Sequence, residues 1–153
     1  MLKIRIAAVG RLRGQGFRES ASEYEKRLRA YCKLDIYEVD ISRKVEERTR
    51  KSEEGRKLLS GKILNGKSIA CDRKGKQVTS EEFAAIIRGG LDLGIPFTFF
   101  LGGPDGLSSE ILSSATLSIS FSKMTFPHEL FRIVLLEQVY RSFRIIRGEP
   151  YHR

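Results

Sequence analysis

The sequence predicts an α/β fold in a single domain spanning residues 1–153, a mostly parallel sheet flanked by helices on both faces. Three observations predict it. Short apolar runs of strand length alternate with segments whose apolar residues recur at steps of three and four, the βαβα order that lays helices over a parallel sheet. The run from Pro96 to Leu101 is almost wholly apolar, as a strand covered on both faces must be. The length of 153 residues suits one core, and 41% hydrophobic against 31% charged residues is the balance of a folded chain.

Each element follows from its local pattern. Lys3 to Val9 alternates basic and apolar residues before ending in Ala7-Ala8-Val9, a first strand. Gly10 to Gly16 breaks it as a basic loop, a connector with solvated arginines or a track for phosphates. Phe17, Ala21, Tyr24, Leu28 and Tyr31 form one apolar helical stripe, with Arg18, Glu19, Glu25, Lys26 and Arg29 on the other face. Leu34, Ile36 and Val39 mark a second strand. From Arg43 to Lys57 the chain is very polar. The pairs Glu46–Arg50 and Glu53–Lys57 suit an exposed helix, and a mobile segment fits equally well. Gly61 to Gly66 reads as a turn and Ser68 to Cys71 as a short buried strand.

Thr79-Ser80-Glu81-Glu82 is a capping box that opens a helix with Phe83, Ile86 and Ile87 inward, and Gly89-Gly90 is expected to close it. Pro96 to Leu101 belongs in the middle of the sheet and ends in a glycine loop. A short helix starts near Ser108, Leu117 to Phe121 alternates as another strand, and Pro127 marks the first turn of the last helix. That helix spreads Phe131, Ile133, Leu135, Leu136, Val139, Tyr140, Phe143 and Ile146 over a broad apolar arc, with Glu137, Arg141 and Arg144 opposite. Arg132 falls inside the arc. A charge there demands a partner carboxylate, a second subunit or a phosphate, and a homodimer contact is the expectation.

Composition excludes several classes. No run of about 18 apolar residues exists to span a membrane, and the charged start Met1 to Arg5 is unlike a signal peptide, so a cytoplasmic protein is expected. Cys32 and Cys71 stand apart without ligand-type neighbours at metal spacing, so neither a metal site nor a disulfide is expected. A net charge of +9 favours a polyanion such as nucleic acid. Neither a dinucleotide fingerprint nor a P-loop is present.

In a parallel sheet, ligands bind beyond the carboxyl ends of strands. Three such ends lead into unusual loops: Cys71-Asp72, Gly102 to Gly106, and Phe121 to Phe126. They define the expected pocket. Ser122 and His128 would be the parts of a Ser–His hydrolase, but no nucleophile-elbow pattern accompanies them. A non-catalytic RNA-binding module explains the charge and leaves the glycine loop and the apolar Met124 to Phe126 without a purpose.

Taken in order, Leu101-Gly102-Gly103-Pro104-Asp105-Gly106-Leu107, Ser122-Lys123-Met124-Thr125-Phe126-Pro127-His128, Glu137-Gln138-Val139-Tyr140-Arg141 and the end Pro150-Tyr151-His152-Arg153 closely resemble the ribosomal large-subunit pseudouridine N3-methyltransferase family of the SPOUT superfamily, from Met1 to Arg153. The resemblance implies a homodimeric α/β methyltransferase with a C-terminal trefoil knot, a breach of the usual no-knot rule. It implies S-adenosylmethionine in the knot, against Cys71, Gly102, Phe121, Ser122, Lys123, Met124, Thr125 and Phe126. An aliphatic residue is commoner in the family at the Cys71 position. The implied substrate is a pseudouridine of large-subunit (23S) ribosomal RNA on assembled ribosomes. His128 and His152 are then candidates for handling the N3 proton or contacting the base, Tyr151 for stacking on it, and Arg141 and Arg153 for holding phosphates.

Overall fold

A computed structural model of the chain describes residues 1–61 and 65–151. Its elements run β1 (Leu2–Val9), α1 (Gln15–Leu28), β2 (Cys32–Val39), α2 (Glu47–Ser60), β3 (Lys67–Gln77), α3 (Ser80–Leu93), β4 (Phe97–Leu101), α4 (Ser109–Ser114), β5 (Leu117–Ser120) and α5 (His128–Ile146). The five strands form one sheet in the order β2-β1-β4-β3-β5, every neighbouring pair parallel. The expected α/β architecture is present, with β4 at the centre.

Period-two alternation in the strands divides the interior into two layers. On one face Leu2, Ile4, Ile6 and Ala8 of β1 and Phe97, Phe99 and Leu101 of β4 pack against Ala21 and Leu28 of α1, Phe83 and Ile87 of α3, and Leu135, Leu136, Val139 and Phe143 of α5. On the other, Ala7, Val9, Ala70 and Phe100 meet Leu58 of α2 and Ile111 of α4. Arrays of buried aliphatic and aromatic groups of this kind supply most of the stabilisation, at about 1.5–3 kcal/mol for each fully buried large side chain. The polar segment is helical as α2 from Glu47 onward, and the Glu53–Lys57 pair forms at 3.1 Å.

Three boundaries differ from expectation. The strand expected to end at Cys71 continues as β3 to Gln77. Both Cys71 and Lys76 pair with Ile119, so Asp72 to Gly75 bulge out between them. A Cβ on Gly75 would meet the Ser118 backbone at 2.7 Å, and this close approach lets the strand return to β5. Gly89-Gly90 does not close α3, which runs on to Leu93 and stops at Gly94 in the left-handed region, φ 66°. Gly90 is there for space: a Cβ would run into the Phe97 ring. Pro127 stands one residue before α5, at its N-cap. The capping box is formed as expected, with Glu82 N–H donating to Thr79 Oγ1 at 3.1 Å and Thr79 N–H to Glu82 Oε2 at 2.8 Å. The turn expected over Gly61 to Gly66 includes residues outside those described.

The two α3 glycines should therefore respond in opposite directions. Gly89→Ala, with nothing within 4 Å of the added carbon, is expected to stabilise by about 0.5–1 kcal/mol. Gly90→Ala is expected to destabilise by about 1–3 kcal/mol through overpacking against Phe97. Urea unfolding of the two variants checks the sign of each.

Candidate active site

The site is created by a crossing of the chain. Strand β5 lies at one edge of the sheet, yet α5 begins beside β1, on the far side of β3 and β4. Three contacts fix that start. Glu129 Oε1 accepts the backbone N–H groups of Arg13 and of Gly14, the latter at 3.2 Å. The His128 ring lies against Gly10, where a Cβ would be 3.1 Å from Nε2. Arg132, 2% exposed, donates from Nη2 to the Gly10 carbonyl at 2.8 Å and from Nη1 to Glu38. The partner expected in a second subunit is thus a carboxylate of the same chain, placed at the end of β2 by the parallel register with β1.

Phe121 to Pro127 must accordingly pass over the carboxyl ends of β3 and β4. Hydrogen bonds from Ser120 Oγ to the Ser122 carbonyl and from Met124 N–H to Ser122 Oγ, both 3.0 Å, shape the passage. Two rings anchor it. Phe121 packs edge-on to Phe83 at 5.5 Å and to Phe131 at 5.1 Å, and Phe126 stacks on Phe131 at 6.5 Å. Lys123 and Thr125 are exposed and Met124 is 76% exposed, an apolar side chain left at the mouth.

Beneath the crossing lies a cleft of about 610 Å³ between Cys71-Asp72-Arg73-Lys74, the Gly102 to Gly106 turn, and Thr125 to His128 with Phe131. A smaller hollow of about 150 Å³ shares its Cys71 and Phe126 walls and reaches Ile119, Phe121, Ser122 and Met124. The floor is a tight turn in which Gly106 N–H donates to the Gly103 carbonyl at 3.0 Å and Gly106 takes φ 85°. A Cβ on Gly102 would run into the Gly106 backbone. Arg50 of α2 ties the turn down through a bidentate pair with Asp105, 2.8 and 3.0 Å, in place of the Glu46 partner expected from helical spacing. The Arg50 guanidinium beside it holds the Asp105 carboxyl below the usual carboxylate range. Burial, with a smaller contribution from Asp72, pushes the Cys71 thiol well up, so it stays protonated.

The structure brings Cys71, Gly102, Phe121, Ser122, Met124, Thr125, Phe126 and His128 to one place, around the cleft, whereas Lys123, exposed on the crossing segment between Ser122 and Met124, lines neither space. Arg141 and Tyr151 meet elsewhere. Arg141 donates to Glu137 from Nε at 2.9 Å and from Nη2 at 2.5 Å, and its guanidinium lies over the Tyr151 ring at 4.9 Å. Tyr151 donates to Glu137 Oε1 at 3.1 Å and packs edge-on to Tyr140 at 5.0 Å. Burial, with Tyr24 and Glu137, raises its phenol pKa. Tyr140 is twelve residues beyond His128 along α5, about 18 Å of helix rise. His152 and Arg153 lie outside the described residues.

Sequence reasoning missed Arg50, Asp105, Glu38 and Glu54 as parts of the site's support. Glu54 is 1% exposed on α2, and a Cβ on Gly103 would be 3.6 Å from its Oε1. Neither of its oxygens has a hydrogen-bond partner of normal geometry among the described residues. Burial raises its pKa, with Asp105 adding to the effect and the Ser42 backbone and Arg50 opposing it in part. Its signal was available: a carboxylate next to Gly55, on the helix face that carries Leu58.

A parallel sheet with its cleft under a late crossing segment defines a class. The chain belongs to the SPOUT methyltransferase family: residues 2–152 match the family described as "Predicted SPOUT methyltransferase". Among particular proteins, it is 44% identical over 162 residues to the ribosomal RNA large subunit methyltransferase H of Clostridium acetobutylicum, covering 99% of this chain and all of that one. To the protein of the same name from Clostridium beijerinckii it is 46% identical over 159 residues, with the same coverage. A solved structure described as a probable methylase family protein from Haemophilus influenzae Rd KW20 shares the fold, with a TM-score of 0.58 at 11% identity over 98% of this chain and 70% of that one.

Two substitutions probe the supports. Glu38→Ala leaves the Arg132 charge with one carbonyl and is expected to cost about 2–3 kcal/mol, less than for a fully buried pair because Glu38 is partly exposed. Loss of under 0.5 kcal/mol in urea unfolding would mean the pair does not hold α5. For Glu54 the sign runs the other way. A carboxyl whose folded pKa lies above its unfolded value penalises the fold above the unfolded pKa, and the penalty vanishes as the pH falls below it. Glu54→Gln is therefore expected to raise the urea midpoint at about pH 7 and to leave it unchanged near pH 4.

Proposed function

We propose that this protein transfers a methyl group from S-adenosylmethionine to N3 of a pseudouridine in large-subunit ribosomal RNA, on assembled ribosomes in the cytoplasm, and that it acts as a homodimer. What carries this is a coincidence: a nucleoside-sized cleft under a crossing segment, in a chain that matches named large-subunit rRNA methyltransferases from end to end. The crossing from Phe121 to Pro127 is read as the threaded part of a trefoil knot, which its start on an edge strand and its finish beside β1 support.

The cleft suits the donor. Its volume is within the range of small-molecule sites, its floor is glycine main chain where a Cβ would collide, and its walls pair the apolar Cys71, Phe126 and Phe131 with the polar Asp72, Arg73, Thr125 and His128. Cys71, Gly102 and Phe121 to Phe126 would hold S-adenosylmethionine, which when bound supplies an electrophilic methyl on a sulfonium. The rest falls to the chain's own residues. The acceptor must be held in line with that methyl, so positioning contributes much of the rate. The N3 proton must leave, and we assign its removal to His128, which the cleft wall carries. Tyr151, its phenol kept protonated, is suited to stacking and positioning, and Arg141 holds it through Glu137.

The tail's place supports the homodimer. Tyr151 packs about 18 Å along α5 from His128, so the tail of one chain is poorly placed to serve its own cleft, and the partner's tail completes it. Two chains, one cut after Pro150 and one carrying Gly102→Val, should each be inactive alone. Mixed in equal amounts and allowed to exchange, they should regain about a quarter of wild-type activity, since half the dimers then hold one complete site of two. No recovery from exchanged dimers would overturn the shared site. In calorimetry the truncated chain should bind S-adenosylmethionine like wild type and Gly102→Val should not. Failure of the wild type to bind it would favour a non-catalytic RNA-binding module.

A further inference from the structure

We infer that the groove between the Gly10–Gly14 loop and the Asp40–Lys44 loop holds the phosphate backbone of the RNA whose base enters the cleft. This rests on the RNA methyltransferase function proposed above and adds to it a location for the strand. The groove is about 820 Å³ in volume. Arg11 and Arg13 stand on one side, Arg43 and Lys44 on the other with Lys57 behind, and His128 forms part of its wall as well as of the cleft. The two spaces therefore meet at one imidazole.

Its charge is not balanced among the described residues that line it. Five cationic side chains line it against three carboxylates, and each carboxylate is already engaged. Asp40 faces Arg11 at 3.4 Å, an exposed pair of little strength. Glu53 is bound by Lys57 at 3.1 Å and Ser42 Oγ at 3.1 Å. Glu129 accepts the Arg13 and Gly14 backbone N–H groups, which hold its carboxyl below the usual range. Arg13, Arg43 and Lys44 form no ion pair among the described residues, and all three side chains are exposed. An excess of five cations over three carboxylates among the described lining residues, at a groove that opens on the cleft, is suited to a polyanion.

The loops that carry them are held in place. Lys44 N–H donates to buried Ser42 Oγ at 3.2 Å, and Arg50 Nη1 donates to the Lys44 and Val45 carbonyls at 3.2 and 2.6 Å. The same guanidinium grips Asp105 in the turn under the cleft. Cations set on a fixed frame lose little freedom on binding, as a phosphate track requires. RNA is favoured over an acidic protein because Ile41 is the one apolar side chain among the described residues that line the groove, which leaves no apolar cluster for a protein partner to cover.

The test is the double variant Arg43→Gln/Lys44→Gln beside a charge-matched control, Lys3→Gln/Lys33→Gln, whose exposed lysines lie at the amino ends of β1 and β2. Affinity for unmodified 70S ribosomes and for protein-free 23S rRNA is measured from about 50 to 200 mM salt, with S-adenosylmethionine binding followed by calorimetry. For both RNA probes the groove variant is expected to bind about tenfold or more weakly near 100 mM salt, with the slope of log affinity against log salt reduced by about 1.5–2. Its donor affinity should equal wild type, and the control should move much less. An equal loss in the control, or wild-type affinity in the groove variant, overturns the groove. A loss for ribosomes without one for naked rRNA overturns it in favour of an acidic protein surface. Should the wild type bind neither probe, the proposed RNA substrate fails instead.

Discussion

A guanidinium inside an apolar arc has to find oxygen atoms, and Arg132 finds them at the ends of two strands, in the Gly10 carbonyl and Glu38. That pairing settles where α5 begins. Because β5 is at the opposite edge, the seven residues from Phe121 to Pro127 are obliged to cross two strand ends to get there. The cleft is the space left under that crossing. Phe121 and Phe126 sit against Phe131 one turn into α5, so the ring cluster and the buried ion pair fix the same helix from two sides.

Helix α2 provides the second frame. It is the most polar helix of the chain, yet it carries two side chains that face inward at the strand ends. Arg50 spans from the Lys44–Val45 carbonyls to Asp105, joining a basic loop to the glycine turn. Glu54 sits buried between them at a cost to stability, the kind of conflict between local chemistry and fold that tends to accompany function. Loop, helix and turn thus form one connected unit around the cleft.

Much of this was legible in the residues. Alternation in β1, the unbroken apolar run of β4 and the capping box at Thr79 gave strand, centre and helix start directly, because those signals are local. The three strand-end loops gave the cleft. What stayed hidden depends on packing between distant segments. Gly90 reads as a terminator until Phe97 is seen to need its space, and Arg50 reads as Glu46's partner until Asp105 is brought beside it. Arg132 inside its apolar arc demands a partner, but the spacing of one helix does not reveal that Glu38 is in reach. The motifs group Arg141 and Tyr151 with the cleft, and within one chain the length of α5 separates them from it.

Cys71 carries a further consequence. Its sulfur lines the very hollow proposed for an activated methyl, and a thiolate there would be a rival acceptor, stronger than any amide-like nitrogen of a base. Burial beside Asp72 keeps it as the neutral thiol, the unreactive form. With the donor held as proposed, the burial that shapes this wall would also guard the site against alkylation of its own sulfur.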